Sequence, residues 1–285
     1  MERITSIKND HVKRIAKIMS SAKERRYSGK YLVEGPRMVR EIPLSDLDEI
    51  FFTQDFFNNH IDEDSKMLRL VNQAMVKKKC FIVTDNVLRK LAQTDRPQGV
   101  VGLVNMHEYK LEDIIAEEPA PGSTVENSNP MIIIVERLQD PGNMGSIIRS
   151  AEGAGVSGIL VSYDSVDIYS PKVVRATMGA IFRKKIVITY DLIGDIEKLK
   201  EAGITVYGMH LEGKSVYDLD LTGPSAFMVG NEGNGLSREV TDQADKLLRI
   251  PMLGELESLN AASSATIVSY EALRQRLANV DMMFL

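Results

Sequence analysis

The chain has 285 residues, of which 44% are hydrophobic and 26% are charged, as in an ordinary folded protein that is long enough for two domains. A single cysteine, Cys80, excludes an internal disulfide and a cysteine-built metal site, and the four histidines form no ligand-spaced pair. Because no apolar run approaches the length of a membrane span and the first residues are charged, we expect a cytoplasmic protein with no membrane partner and no metal.

The charge is unevenly distributed along the chain. The net charge is −5, yet residues 1–40 contain eleven lysines and arginines against four acids, a local charge of +7 that leaves −12 for the remainder. The net charge argues weakly against nucleic acid, and such a segment is common on a solvated helix, but it also suits an arm that contacts phosphates. The candidate residues for such contacts with a nucleic acid are Lys23, Arg25, Arg26 and Arg37.

The first hundred residues alternate between helical and strand patterns. Apolar residues recur at helical spacing over 3–26. We predict strands at 31–35, 50–53, 80–84 and 98–104, with helices beginning at Met38, near 64–76 and at 85–93. These elements make a small α/β domain over residues 1–107. It has neither a Gly-rich phosphate loop nor converging carboxylates, which favours a binding module.

Residues 108–129 are acidic and then rich in Pro, Gly, Ser and Asn, which predicts a linker. The pattern over 130–285 alternates again. Strands are predicted at 131–136, 158–163, 185–190, 204–209, 226–230 and 247–250, and helices at 146–154, 171–178, 193–202 and 261–277. This predicts an open, mainly parallel α/β sheet. Ligands of such sheets bind at the carboxyl ends of strands, so we expect the polar loops that follow three of these strands to converge.

The first polar loop runs from Asp140 into the next helix. Asn143 is placed to cap the helix or to fix the loop, and Arg149 projects from the second turn. An arginine there forms either a surface salt bridge or a site for a phosphate or developing oxyanion. The loop lacks the G-x-G-x-x-G fingerprint and a Walker lysine, which argues against a nucleotide-dependent oxidoreductase.

The other two loops carry glycines and short polar side chains. In Gly230–Gly235 the glycines allow a flat ligand to approach the backbone, and Glu232 is either a turn residue or a group that orients an arginine. In Ile250–Asn260, Ser258 or Asn260 can act as the N-cap of a helix that begins with small residues.

Together, the three loops resemble the motifs of the SpoU-type (TrmH-like) RNA ribose 2′-O-methyltransferases of the SPOUT superfamily, which use S-adenosylmethionine. The resemblance covers residues 130–277, with mild departures at Ser146 and Asn231. The N-terminal half resembles the ribosomal-protein-like RNA-binding domain that many members carry, through segments 31–35 and 97–101.

The resemblance implies a role for each loop. It implies that the catalytic and substrate positions are Asn143, Arg149, Glu232, Ser258 and Asn260. It implies that the cofactor-binding residues are Met209, Gly230, Asn231, Gly235, Ile250, Met252 and Leu259. Arginine keeps its proton at ordinary pH, so we expect Arg149, oriented by Glu232, to stabilise the alkoxide as a cation.

The resemblance also implies a deep C-terminal trefoil knot and a homodimer. The appended domain favours ribosomal RNA as the substrate, since a large folded target rewards a second contact surface. Transfer RNA is the alternative substrate, and a non-catalytic RNA-binding protein on the same scaffold is the alternative function.

Overall fold

The structure is a computed structural model that describes residues 1–61, 65–116, 129–256 and 258–283, with side chains up to residue 278. The chain divides into two compact units. The first unit comprises Met1–His107 with Asp167–Phe182, and the second comprises Glu108–Val166 with Arg183–Leu285. The segment Asp167–Phe182, which the sequence places in the C-terminal domain, therefore has its contacts in the first unit.

Strands and helices alternate along most of the described chain. The strands are β1 (Glu2–Ile4), β2 (Lys30–Glu34), β3 (Leu47–Thr53), β4 (Cys80–Val83), β5 (Val100–Asn105), β6 (Met131–Val135), β7 (Gly158–Ser162), β8 (Lys185–Thr189), β9 (Thr205–Ser215), β10 (Ser225–Val229) and β11 (Lys246–Arg249). The helices are α1 (Asp10–Ser20), α2 (Ala22–Ser28), α3 (Pro36–Val39), α4 (Gln54–His60), α5 (Ser65–Val76), α6 (Asp85–Leu91), α7 (Leu111–Ile115), α8 (Pro141–Gly153), α9 (Pro171–Ala176), α10 (Leu192–Glu201), α11 (Arg238–Thr241) and α12 (Ala261–Met283).

The first unit is built on a five-stranded sheet in the order β1-β4-β3-β5-β2. Strands β1, β4 and β3 are parallel, and β5 is antiparallel to both of its neighbours. Two clusters of buried apolar residues pack in this unit, one of which includes Val174 and Ile181 from the later segment. Neither β1 nor α4 is predicted from the sequence, because their apolar residues are too few to show a period.

Arg25 lies in α2 and is buried, with 5% of its surface exposed. Its Nε and Nη2 donate to Asp167 Oδ2 at 2.8 and 2.7 Å, and its Nη1 donates to the carbonyls of Ile18 and Met19. The prediction that Arg25 binds RNA is therefore wrong, because its guanidinium is occupied within the fold. Lys23, Arg26 and Arg37 are exposed, and their RNA-binding role stays a prediction.

The second unit is built on a six-stranded, wholly parallel sheet in the order β11-β9-β10-β6-β7-β8. This confirms the predicted parallel α/β sheet. Strands β6, β7 and β10 are buried along their whole length, as expected for strands covered on both faces. The predicted linker contains α7, whose Ile114 packs so closely that a Cβ on Gly158 would lie 2.1 Å from it. Residues 117–128 of that linker lie outside the described residues.

Helix α12 is tied to the connection between β9 and β10. The Arg276 guanidinium donates to the carbonyls of Asn129, Leu221 and Gly223 at 2.6 to 3.3 Å.

Within the part of the chain that the structure describes, neither α12 nor any other helix is long and apolar enough to span a membrane.

Candidate active site

Helix α8 begins at Pro141, five residues earlier than predicted. Asp140 is its N-cap, because Asp140 Oδ1 accepts a hydrogen bond from Asn143 N at 2.8 Å, and Pro141 has no N–H to leave unsatisfied. The N-cap of α8 is therefore Asp140 rather than Asn143. The Asn143 side chain is thus available for hydrogen bonds to other loops. Arg149 consequently lies on the third turn rather than the second. The Asp-Pro pair was the sequence signal for this helix start.

A chain of side-chain hydrogen bonds joins the loops after β6, β10 and β11. Asn260 Nδ2 donates to Asn143 Oδ1 at 2.8 Å, and Asn143 Nδ2 donates to Glu232 Oε1 at 3.1 Å. The expected convergence of the three loops is thus confirmed. Asn260 Oδ1 also accepts from the backbone of Ala262 and Ser263, so Asn260, one of the two predicted candidates, caps α12.

Glu232 is held by three donors. Besides Asn143, the backbone N–H groups of Gln139 and Asp140 donate to its carboxylate at 3.1 and 2.8 Å. Partial burial alone would raise the pKa of Glu232, but these backbone and amide hydrogen bonds outweigh it and lower the pKa below its ordinary value. Glu232 is therefore an ionised anchor for the loop at neutral pH. No sequence signal marked Gln139.

Arg149 is exposed and makes no hydrogen bond or ion pair with any residue that the structure describes. The expected contact in which Glu232 orients Arg149 is not present, because the Glu232 carboxylate is occupied by the loop after β6. The guanidinium of Arg149 is thus available for an anionic group. Ser258 is also exposed and makes no hydrogen bond within the described chain.

The loop Gly230–Gly235 is closed by two backbone hydrogen bonds of 2.9 Å between Asn231 and Gly235. A Cβ on Gly230 would lie 2.1 Å from the Gly235 carbonyl carbon, so the loop's own fold requires glycine there. The Asn231 side chain also serves the loop, since it accepts from Gly233 N and donates to the Arg137 carbonyl. The sequence predicts that these glycines admit a ligand, and the close approach of Gly230 to Gly235 is a second reason for glycine in the loop.

Backbone groups remain available beside this loop. Within the described chain, the backbone groups of Gly230, Ile250 and Leu259 make no hydrogen bond, and these residues are half-buried at the carboxyl ends of β10 and β11. Met209 and Met252 are half-buried as well. Free amides and carbonyls beside apolar side chains fit S-adenosylmethionine, which has an adenine edge, polar hydroxyl and amino-acid groups and an apolar thioether arm.

Two family models match the chain. The SpoU rRNA Methylase family matches residues 130–270, and the MRM3-like substrate binding domain matches residues 9–102. These ranges include all three loops and most of the basic segment.

Three of the similar proteins match nearly the whole chain. A Synechocystis protein named as an uncharacterized tRNA/rRNA methyltransferase is 31% identical over 278 residues, which are 96% of this chain and 94% of that protein. A 23S rRNA (uridine(2479)-2′-O)-methyltransferase of Streptomyces viridochromogenes is 30% identical over 282 residues, which are 97% of this chain and 93% of that protein. The structure of the AdoMet-bound rRNA methyltransferase of Sinorhizobium meliloti matches with a TM-score of 0.80 at 28% identity, over 96% of this chain and 97% of that chain. Given these matches and the converging loops, the chain belongs to the SpoU rRNA methylase family.

Proposed function

We propose that this protein transfers a methyl group from S-adenosylmethionine to a ribose 2′-hydroxyl of ribosomal RNA. The observation that carries the proposal is the hydrogen-bond chain from Asn260 through Asn143 to Glu232, which fixes three loops at the start of α8, the helix that also carries the exposed Arg149. The Streptomyces relative is named as a 23S rRNA 2′-O-methyltransferase, and the Sinorhizobium structure contains AdoMet.

The residues of the site divide the work between binding and positioning. When bound, the cofactor supplies an electrophilic methyl group, and Gly230, Ile250 and Leu259 would hold it through their free backbone groups. The Arg149 guanidinium keeps its charge at any ordinary pH, so it stabilises negative charge on the 2′-oxygen or holds the adjacent phosphate. Much of the catalysis is then the alignment of donor and acceptor.

Proton removal from the 2′-hydroxyl does not fall to Glu232. Its pKa is lowered and its oxygens already accept three hydrogen bonds, so it is a weak base at neutral pH. Glu232 and Asn260 are therefore positioning residues in this proposal. Ser258 is exposed and lies two residues before Asn260. In this proposal, Ser258 contacts the ribose or its phosphate.

The proposed division of labour follows the domains predicted from the sequence. Residues 1–107 would bind the RNA, residues 108–129 would connect, and residues 130–285 would carry the methyl transfer. The exposed Lys23, Arg26 and Arg37 support an RNA surface in the first unit. Ribosomal RNA is favoured over transfer RNA because three relatives are named as 23S rRNA methyltransferases. A non-catalytic RNA-binding protein is disfavoured by the complete set of loop residues.

We also propose a C-terminal knot and a homodimer. The bonds from Arg276 in α12 to carbonyls of the β9–β10 connection support a helix enclosed by that connection. The exposed apolar side chains of Leu253 and Leu256 support a surface that a second copy covers.

The test is a map of ribose methylation on ribosomal RNA from a strain that lacks the gene. We expect one nucleotide to lose its 2′-O-methyl group, with restoration by the wild-type gene and none by a gene encoding Arg149→Ala. An unchanged ribose map, or a lost methyl group on a base, would contradict the proposal.

A further inference from the structure

Two tyrosines lie side by side at the carboxyl edge of the parallel sheet in the second unit. Strands β7 and β8 pair with Ser162 opposite Thr189, and Tyr163 N donates to the Thr189 carbonyl at 2.8 Å. The pairing therefore continues one residue beyond the strands and brings Tyr163 against Tyr190. Their ring centroids are 4.3 Å apart and the planes differ by 28°, so the rings are stacked.

The stacked pair faces solvent. Tyr163 is 49% exposed and Tyr190 is 78% exposed, so at least one ring face has no neighbour in the unit. A cleft of about 330 Å³ adjoins them, lined also by Arg137, Asp164 and Leu192. Large aromatic rings bury well over 100 Å² when they are covered, so a solvated pair beside a cleft is a strong candidate for a flat ligand.

Arg137 is the strained residue of this cleft. Its φ of 50° lies in the left-handed region, which costs a side-chain-bearing residue roughly 1–2 kcal/mol. Its backbone is fixed by a bond from its N–H to Ser162 Oγ and by bonds to its carbonyl from Gln139 Nε2 and Asn231 Nδ2, all 2.9 to 3.0 Å long. A strained conformation that is held this firmly is typical of a residue placed for a ligand.

The side chain of Arg137 has donors to spare. Nε donates to Asp164 Oδ2 at 2.9 Å and lies 3.9 Å from Glu136 Oε1, and within the described chain neither Nη atom makes a hydrogen bond. The cleft also contains Glu136, Asp191 and Glu239, so it is not a strongly positive phosphate site. A flat, uncharged ring with acceptors on its edge fits it better than a run of phosphates.

Gln139 joins this cleft to the candidate active site. Its backbone N–H donates to Glu232, and its side-chain amide donates to the carbonyl of Asp164 at 2.9 Å. The tyrosine pair and the three converging loops therefore belong to one continuous edge of the sheet. A polynucleotide bound at the three loops can therefore extend along that edge to the tyrosines.

We propose that Tyr163 and Tyr190 form a stacking platform for an unpaired base of the RNA substrate, close along the strand to the ribose that is methylated, with Arg137 donating to the base edge. The proposal rests on the proposed function in taking RNA as the ligand. Proteins that recognise single-stranded RNA commonly stack its bases on aromatic side chains. A second copy of this chain is the competing occupant of the platform.

A fluorescence experiment tests the platform without requiring methyl transfer. The chain has no tryptophan, so Tyr190→Trp places a single tryptophan on the platform. We expect hexa-adenylate to quench its emission and a hexamer of the same backbone without bases to leave it unchanged. The matched control is Tyr270→Trp, which replaces a tyrosine 45% exposed on α12 and should respond to neither. Equal responses of the Tyr190→Trp protein to the two hexamers would overturn the proposal.

Kinetics with protein-free 23S rRNA transcripts give the second measurement. Because one base stack contributes roughly five- to hundredfold in affinity, Tyr190→Ala should raise the KM for RNA by that factor, with kcat and the Kd for the cofactor near wild type. Tyr190→Phe keeps the ring and should behave as wild type. An unchanged KM for Tyr190→Ala, or a loss of dimer on sedimentation, would overturn the proposal. Base-dependent quenching without any methyl transfer would instead reject the proposed function and leave the platform standing.

Discussion

In the first unit, Arg25 and Glu49 are buried and paired, whereas Arg149 of the second unit is exposed. Glu49 is 2% exposed and lies within 2.8 to 3.3 Å of His11, Arg14 and Lys79. Arg149 faces solvent and has no partner among the described residues. A buried, satisfied charge contributes to the fold, and a solvated one is free to bind a ligand. Burial thus separates structural from functional charges where residue type does not.

The largest effect is expected at Arg149. Arg149→Ala should lower the rate of methyl transfer by about 10²–10³-fold, the usual loss when one stabilising donor is removed from an active site. The Kd for S-adenosylmethionine should not change, because Arg149 acts on the ribose. Single-turnover kinetics and calorimetry measure the two quantities.

The matched control for Arg149 is Arg238→Ala, which removes an exposed arginine of the same unit. It should leave both quantities unchanged. A loss of cofactor affinity in Arg149→Ala equal to its loss of rate would contradict the assignment.

The next largest effect is on stability, and it should differ between the neighbouring residues Arg25 and Arg26. Arg25→Met should lower the free energy of unfolding by about 2–3 kcal/mol, since removal of one partner of a buried pair leaves the other unpaired. The loss lies below the range for fully buried pairs because the Asp167 side chain is 22% exposed. Arg26→Met, at an exposed position, should cost under about 0.5 kcal/mol. Urea unfolding gives both values, and equal losses would show that burial does not distinguish the two arginines.

Exposed cations of the first unit should control the salt dependence of RNA binding. Substitution of Lys23, Arg26 and Arg37 by Ala should reduce the slope of log K against log salt by roughly 2, at about 0.7 per lost phosphate contact. Different RNAs should weaken about equally, since phosphate contacts position without specifying sequence. Filter binding over a salt series measures the slope. An unchanged slope would place the RNA surface elsewhere.

The Asn260 side chain caps α12 through its oxygen and donates to Asn143 through its nitrogen. Two substitutions separate the effects of these bonds. Asn260→Ala removes the cap of α12 and should cost about 1 kcal/mol of stability together with a loss of methyl transfer. Asn260→Asp keeps an oxygen for the cap but loses the donor to Asn143, so stability should hold while the rate falls about fivefold or more. Thermal melts and initial rates distinguish these outcomes. A fully active Asn260→Asp would show that the bond to Asn143 is dispensable.

The smallest effect concerns acid stability. Burial alone would raise the pKa of Glu49, but the hydrogen bond and charge of His11 and the charge of Lys79 outweigh it and lower the pKa. A lowered folded-state pKa gives stability that is present above the unfolded value of about 4.3 and is lost as the pH falls below it. In Glu49→Gln, this part of the pH dependence should disappear. Unfolding at pH 6 and pH 3.5 would test this, and parallel pH profiles for the two proteins would contradict it.

Sequence patterns predicted the second unit well. Buried parallel strands are long apolar runs, and the loops after them carried Asn143, Glu232 and Asn260, so both the sheet and the convergence were predictable. The predicted family is confirmed by the matches of the chain. The predicted contact of Glu232 with Arg149 is not present, because Glu232 accepts hydrogen bonds from the backbone of Gln139 and Asp140 instead. The sequence of a glycine-rich loop does not indicate which backbone N–H groups will face its carboxylate.

Prediction was weaker wherever distant residues decide a role. Arg25 and Arg26 are adjacent and identical in type, yet only Arg25 forms an ion pair with Asp167, which lies 142 residues later in the chain. The local sequence does not indicate which of the two arginines forms this long-range pair. The same reason hid the membership of Asp167–Phe182 in the first unit, because the helix pattern over 171–178 is the same whichever core it joins.

This late segment has a consequence for synthesis on the ribosome. The first unit cannot complete its core or neutralise Arg25 until Asp167, Val174 and Ile181 have emerged. At roughly 5–20 residues per second, the 142 residues that separate Arg25 from Asp167 take about 7–28 s to translate. For that interval the nascent N-terminal unit lacks the carboxylate that pairs with Arg25 and two of the apolar side chains of its core.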